Sequence, residues 1–294
     1  MMERGRRWKV TTSDAFSVAF LITAVLSVFY FEIFVVLYGV EGGYFPRPLH
    51  VLNAFFILSN ILGNYIMVIM TDSSTKKITL PVLLKPTWHL CPICQVNAPP
   101  RAYHCDKCNC CLFKRDHHCT FAGCCIGLKN FRYFLVFLFY LSLGCFYATV
   151  FNMYFIWDYL GGFSLFSVIA HIVPFVFWLF GYLCFRVFIY TMLSMLALVG
   201  FLFVGNLFVF HVQNMLRNQT TFEKNTGSRI YDLGWKQNIV ECLGENYIRV
   251  FICPLCVSPL PSDGLSFVAH QNAPSPTLQP PLKVARNNLR QRHS

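Results

Sequence analysis

Residues 91–130 read CPICQVNAPPRAYHCDKCNCCLFKRDHHCTFAGCCIGLKN. Of the fourteen cysteines in the chain, seven lie between Cys91 and Cys119, and Cys124 and Cys125 follow at once. Cys91-x-x-Cys94 opens the stretch, His104-Cys105-x-x-Cys108-x-x-Cys111 follows, and Asp116-His117-His118-Cys119 stands at its centre. Such short spacings bring thiolates and imidazoles to tetrahedral metal distances across tight turns, the pattern of structural zinc. The candidate ligands are Cys91, Cys94, Cys105, Cys108, Cys110, Cys111, Cys119, Cys124, Cys125, His104, His117 and His118, four more than two tetrahedral sites require. The surplus carries information, because a cysteine and a histidine left outside a closed site can form a reactive pair. Spacing alone does not name the residues left out.

Outward from this block the chain turns apolar. It has 294 residues, 55% of them hydrophobic and only 13% charged, and the apolar residues gather in runs longer than a core helix needs. That is the composition of a polytopic membrane protein. The net charge of +11 resides between and beyond the apolar runs. It suits anionic lipid headgroups or a phosphorylated cosubstrate, and no nucleic acid is expected as a partner, since the ligand gaps differ from those of helical zinc fingers. Unpaired clustered thiols predict a reducing, cytosolic setting for the block.

The basic start, Arg4, Arg6, Arg7 and Lys9, precedes a first span at about residues 15–40 and reads as a signal anchor. Glu32, near the far end of that span, is expected to snorkel to the lumenal interface. A second span at about 49–70 carries Asn53, Asn60 and Asn64 on one face, where they are expected to hydrogen-bond to neighbouring helices. Residues 71–131 form a basic loop that the positive-inside rule places in the cytosol together with the amino terminus. The third span covers about 132–156. Residues 164–185 and 187–215 are both apolar enough to cross, but five crossings would place Arg217, Lys224, Arg229, Lys236 and Arg249 in the lumen. Four crossings are therefore expected, with 187–215 as the fourth and 163–185 as a re-entrant or lumen-side hydrophobic hairpin. The last residues, 269–294, are rich in Pro, Asn, Gln, Arg and Ser and read as a disordered tail. Cys253 and Cys256 form a lone CxxC, for which plain burial is expected before acylation or metal binding.

The central block resembles the cysteine-rich domain of the DHHC family of protein S-acyltransferases. The resemblance rests on Cys91, Cys94, Pro99-Pro100-Arg101, His104-Cys105, Cys108, Cys111, Asp116-His117-His118-Cys119, Cys125, Gly127 and Asn130. Outside the block, Thr220-Thr221-Phe222-Glu223 is similar to that family's TTxE motif, and Tyr231, Gly234, Asn238 and Gly244 are similar to its carboxy-terminal motif. The resemblance implies one structural zinc on Cys91, Cys94, His104 and Cys111 and a second on Cys105, Cys108, His118 and Cys125, with Lys107, Lys114 and Arg115 balancing their charge. It leaves Cys119 as nucleophile, His117 as the base that takes its proton, and Asp116 as the group that orients the imidazole. Cys110 and Cys124 are expected as spare thiols or acylated surface cysteines.

The implied reaction is ping-pong transfer of a long-chain acyl group from acyl-CoA, palmitoyl-CoA above all, through acyl-Cys119 to cysteines of membrane-associated protein substrates, next to membrane lipid and on the cytosolic face of the Golgi or endoplasmic reticulum. Arg101 is expected either near the CoA phosphates or as a support of the zinc turn, and Gly144 either beside the acyl chain or as a helix-packing contact. The resemblance further implies that Thr221 positions Asp116 and that Asn238 ties the tail to the spans. The fold class expected is an all-α integral membrane protein with four transmembrane helices plus an extra hydrophobic hairpin, and a cytosolic two-zinc cysteine-rich domain between spans two and three. Its divisions fall at 1–70, 71–131, 132–216, 217–268 and 269–294; the oligomeric state stays open.

Three places depart from the family pattern. Thr120-Phe121 stands where Pro-Trp is usual, Gly123-Cys124 where Asn-Asn or similar is usual, and Asp72-Ser73-Ser74 where Asp-Pro-Gly is usual. The first is expected to loosen the turn after the nucleophile, and the third to hold the loop less firmly. Thr120-Phe121 favours a second reading, a weakly active or inactive zinc-stabilised membrane scaffold for cysteine-containing partners.

Overall fold

The computed structural model describes residues 11–39 and 46–270; the basic start and nearly all of the tail lie outside the described residues. Four helices are long and apolar enough to cross a membrane: α1 (Thr12–Gly39), α2 (Arg47–Met70), α3 (Phe131–Tyr159) and α6 (Phe185–Leu216). Helix α3 packs on both α2 and α6 and is the most buried of the four. Its sequence explains this. From Tyr133 to Leu141 it is apolar or aromatic on every side, and a helix without a polar face is stable only when surrounded. Between α3 and α6 the chain makes two short helices, α4 (Leu165–Ile172) and α5 (Pro174–Leu179), in place of a fifth long one. Ser164 caps α4 and Pro174 opens α5, so the apolar run is interrupted by a cap and a ring and not by charge. His171 Nε2 meets Ser194 Oγ at 3.0 Å and fastens this pair to α6.

The cysteine-rich block departs from the all-α expectation. It consists of three antiparallel two-stranded hairpins, β1 (His89–Cys91) with β2 (Val96–Ala98), β3 (Tyr103–Cys105) with β4 (Cys110–Leu112), and β5 (His117–Cys119) with β6 (Cys124–Ile126). Two of the turns are Cys-x-x-Cys loops followed by a left-handed residue, Gln95 at φ 53° and Asn109 at φ 48°. That geometry turns both sulfurs of each loop toward one point.

After α6 come α7 (Thr221–Asn225), α8 (Trp235–Leu243) and α9 (Tyr247–Ile252). Asn238 joins this segment to α6: its amide donates to Leu216 O at 2.8 Å and to Asp232 Oδ1 at 2.7 Å, and its carbonyl accepts from Leu233 N.

Two expectations about the spans are corrected. Glu32 does not snorkel: it is buried at the start of a π-helical turn, Glu32–Val36, and its carboxylate oxygens have no hydrogen-bond partner among the described residues. Asn53 bonds to Tyr147 of the neighbouring α3 as expected, but Asn60 and Asn64 do not bond to neighbouring helices. Each amide donates one turn back along α2, to Phe56 O and Asn60 O, because that carbonyl is the nearest acceptor in an apolar surround. The Asp72-Ser73-Ser74 segment is firm: Ser73 Oγ donates to Asn130 Oδ1 and accepts from Lys129 N, and Ser73 O accepts from Phe113 N at 2.9 Å.

Candidate active site and metal centres

Two Cys/His groups assemble from the hairpins. Cys91, Cys94, His104 and Cys111 bring their ligand atoms within 4.8 Å of one another, and so do Cys105, Cys108, His118 and Cys125. Tetrahedral zinc with bonds of about 2.3 Å to sulfur needs ligand separations of about 3.8 Å. In the second group Cys108 and Cys125 sulfurs are 3.6 Å apart, and His118 Nδ1 is 3.3–3.8 Å from the three sulfurs. In the first, Cys94 Sγ and His104 Nδ1 are 3.1 Å apart. Burial and the neighbouring sulfurs of Cys91 and Cys94 push the Cys111 thiol far up, a crowding that a dication would relieve. The donor sets fit zinc, and the two groups interleave along the chain.

Cys110 and Cys124 belong to neither group, and both are buried, not surface thiols, since β4 and β6 are covered on both sides. Lys114 does not sit at a metal group. It is buried and donates to Asn218 Oδ1 at 2.7 Å, whereas Arg115 lies against Cys105 and Cys125. Cys253 and Cys256 are partly exposed and join no metal-ligating group among the described residues.

Beside the second group, Asp116, His117 and Cys119 meet. His117 Nδ1–H donates to Asp116 Oδ2 at 2.7 Å, and the ring's far side meets Cys119. Burial opposes charge on His117, but Asp116 and Cys119 outweigh it and push the imidazole up to about 9. Burial likewise opposes ionisation of Asp116, yet His117, His211 and the Thr221 amide hold its carboxyl below the usual range. Thr221 grips that carboxylate twice, from its backbone N to Oδ1 at 2.6 Å and from Oγ1 to Oδ2 at 2.9 Å. The TTxE stretch explains how: Thr220 and Glu223 form a reciprocal cap that presents the Thr221 N–H outward.

Arg101 is not at an open phosphate site. It is 2% exposed, paired with Glu223 and Asn218, and its guanidinium lies over the rings of Tyr231 and Phe267. Of the two roles expected for it, the supporting one matches this placement. The turn after Cys119 is also tighter than expected: Ala122 N and Gly123 N donate to Cys119 O and Thr120 O, and Phe121 O accepts from Tyr65 Oη at 2.8 Å.

An apolar cavity of about 440 Å³ opens at this place. His117, Cys119 and Phe134 line one end; Gly144, Tyr147 and Glu32 line it further along the helices. A Cβ on Gly144 would stand 3.1 Å from Ile57 and 3.4 Å from Ile61, so the glycine permits close packing of α3 on α2.

His211 on α6 was not among the sequence candidates. Its ring stacks on His117 at 5.3 Å, crosses Phe134 edge to face at 5.0 Å, and brings Nδ1 to 3.9 Å from Asp116 Oδ2. The available signal was an ionisable residue inside a span, which is a functional hypothesis by default.

These features define a protein with four membrane-length helices and a Cys-His-Asp array beside two Cys/His groups, and comparison with known proteins places the chain. The model of the DHHC palmitoyltransferase family matches residues 84–228. A zebrafish (Danio rerio) protein named probable palmitoyltransferase ZDHHC24 is 40% identical over 221 residues, 74% of this chain and 75% of that one. A human (Homo sapiens) protein of the same name is 32% identical over 236 residues, covering 76% and 80%. Probable protein S-acyltransferase 2 of Arabidopsis thaliana is 36% identical over 133 residues, 45% of this chain and 28% of that one. The chain belongs to the DHHC palmitoyltransferase family.

Proposed function

We propose that this protein moves a long-chain acyl group from acyl-CoA, through a thioester on Cys119, to cysteines of membrane-associated proteins. The observation that carries the reading is the coincidence of the Asp116-His117-Cys119 array with one end of an apolar cavity between the membrane helices.

In the first half-reaction His117 takes the Cys119 proton and the sulfur attacks the thioester carbonyl carbon. The bond to the CoA sulfur breaks, and CoA leaves with the proton from His117. In the second, His117 takes the proton of the incoming cysteine, whose sulfur attacks acyl-Cys119 and displaces it; Cys119 recovers the proton. A thioester replaces a thioester, so activation and orientation are the whole task. Asp116 fixes the imidazole tautomer and stabilises its cation, and Thr221 fixes Asp116. The cavity suits the substrate: an acyl chain of about sixteen carbons gains about 0.8 kcal/mol per buried CH2. From Phe134 to Ala148 the wall on α3 runs about 20 Å at about 1.5 Å per residue. Zinc, bound by the two Cys/His groups, would clip the hairpins into the arrangement that presents His117 and Cys119. The basic block supports a cytosolic active site, and the family resemblance suggests the Golgi or endoplasmic reticulum as its membrane.

The scaffold reading rested on Thr120 and Phe121. The hydrogen-bonded turn and the Tyr65 contact favour the enzyme instead. The test is autoacylation of detergent-purified protein with labelled palmitoyl-CoA, wild type beside Cys119→Ser, with zinc counted on both. Label on the wild type alone at equal zinc is expected; no label on a folded protein holding two zincs would return the reading to a scaffold.

A further inference from the structure

The first turn of α1 reaches the second metal group. His118 faces the sulfurs of Cys105, Cys108 and Cys125 with Nδ1, so Nδ1 is its metal-facing atom. Its other nitrogen, Nε2, lies 3.4 Å from Oδ1 of Asp14. Asp14 is wholly buried, and neither His118 Nε2 nor Asp14 Oδ1 has a hydrogen-bond partner among the described residues. A buried donor and a buried acceptor, each otherwise unsatisfied, thus face one another. The second oxygen of Asp14 accepts from Thr11 N in the helix cap, so the carboxylate is held on both sides. The Lys107 ammonium, 44% exposed, stands 3.8 Å from Oδ1 and favours its negative charge. Gly123, in the turn between β5 and β6, lies against Asp14 and Val18, so the hairpin that carries His118 sits on this turn of α1.

We propose that Asp14 is the residue that orients His118 for metal: it accepts from Nε2–H, fixes the tautomer that leaves Nδ1 free, and fastens α1 to the second site. Metal-ligating histidines almost always give their second N–H to such a partner, which raises ligand basicity and holds the ring. The first group differs, since the carboxylate that stands 3.6 Å from His104 Nε2 belongs to Asp106 and is 94% exposed. The inference rests on the reading of Cys105, Cys108, His118 and Cys125 as a zinc site. Its consequence is mechanical as well as chemical. Helix α1 supplies Phe20, Leu21, Ala24 and Val25 to the cavity wall, so the wall and the second site share one anchor.

The experiment counts zinc on full-length, detergent-purified protein and then titrates it with a chromogenic chelator, for wild type, Asp14→Ala, Asp14→Asn and Thr11→Ala. Wild type is expected to hold two zincs. Asp14→Ala is expected to release one of the two at about 10- to 100-fold lower chelator concentration, the usual effect of removing such a partner. Asp14→Asn, which keeps an acceptor oxygen but no charge, should fall between, and it decides the matter if Asp14→Ala does not fold. Thr11→Ala removes the bond that Thr11 Oγ1 accepts from Asp14 N, keeps the backbone donation from residue 11 to Asp14 Oδ2, and should titrate as wild type does. Wild-type titration of both Asp14 variants would overturn the proposal, as would an equal loss in Thr11→Ala, which would assign the effect to the cap. Fewer than two zincs on the wild type would instead overturn the metal reading, and this inference with it.

Discussion

Arg101 closes on Glu223 as a fork, Nε to Oε1 and Nη2 to Oε2, both at 2.8 Å, with the two side chains almost wholly buried. The pair joins residues 122 positions apart. Arg101 belongs to the turn before His104, and Glu223 belongs to the stretch whose Thr221 holds Asp116. The ion pair therefore couples the metal-bearing hairpins to the group that orients His117.

Removing one member of that pair should be costly. Breaking a buried pair leaves an uncompensated charge and costs about 3–5 kcal/mol. Arg101→Gln and Glu223→Gln are each expected to lower the thermal midpoint in detergent, while the folded fraction keeps the wild-type KM for acyl-CoA. A tenfold rise in KM at an unchanged midpoint would restore Arg101 to a phosphate-binding role.

Asp116 and His117 make a stability that depends on pH. The imidazole is raised from 6.5 to about 9, so its contribution is full below about pH 6.5 and is lost as pH rises through about 9. The carboxyl is held below 3.8, so its contribution is present above about pH 4 and lost as pH falls further. Between those limits the pair is whole. The wild-type midpoint should decline from pH 6.5 to 9, and Asp116→Asn should flatten that limb while slowing acyl-enzyme formation roughly 100-fold or more. Parallel midpoint profiles for the two proteins would dissolve the pair.

How far the chain could be read beforehand depended on how local each signal is. The four spans and the presence of a metal-ligating block were legible because runs of apolar residues and Cys-x-x-Cys loops are written in consecutive positions, whereas the division of the ligands into two groups was implied by the family resemblance and not by spacing. The partners of Arg101, the stacking of His211 on His117 and the meeting of Asp14 with His118 were not, because each joins distant segments through a fold that spacing does not describe. Glu32 misled for a related reason: a carboxylate near a helix end usually reaches water, and here a π-helical turn directs it inward.

The metal groups separate ligands from spectators. Cys108→Ser is expected to lower bound zinc below two per chain and to abolish the cooperative thermal transition, because ligand binding is folding energy in such modules. Cys110→Ser and Cys124→Ser, buried but outside both groups, should keep two zincs and lose only about 1 kcal/mol of stability. Zinc loss in either of these, equal to that in Cys108→Ser, would mean that the ligand sets are wrongly drawn.

Gly144 faces the cavity from α3, close against Ile57 and Ile61 of α2. A tyrosine there must either push Ile57 and Ile61 aside or turn its ring into the cavity. The first course means moving side chains that are already 3.1 and 3.4 Å from where its Cβ would stand, so the second is the cheaper. The ring would displace the far end of a bound acyl chain. At about 0.8 kcal/mol per methylene, losing two or three methylenes costs about 2 kcal/mol, which is roughly thirtyfold in relative rate. Gly144→Tyr should therefore move the preference in autoacylation from long to shorter acyl-CoA by about that factor, with label still confined to Cys119. Should the chain-length profile stay where it is while the protein remains folded and labelled, the acyl chain does not pass Gly144, and the glycine serves only the packing of α3 on α2.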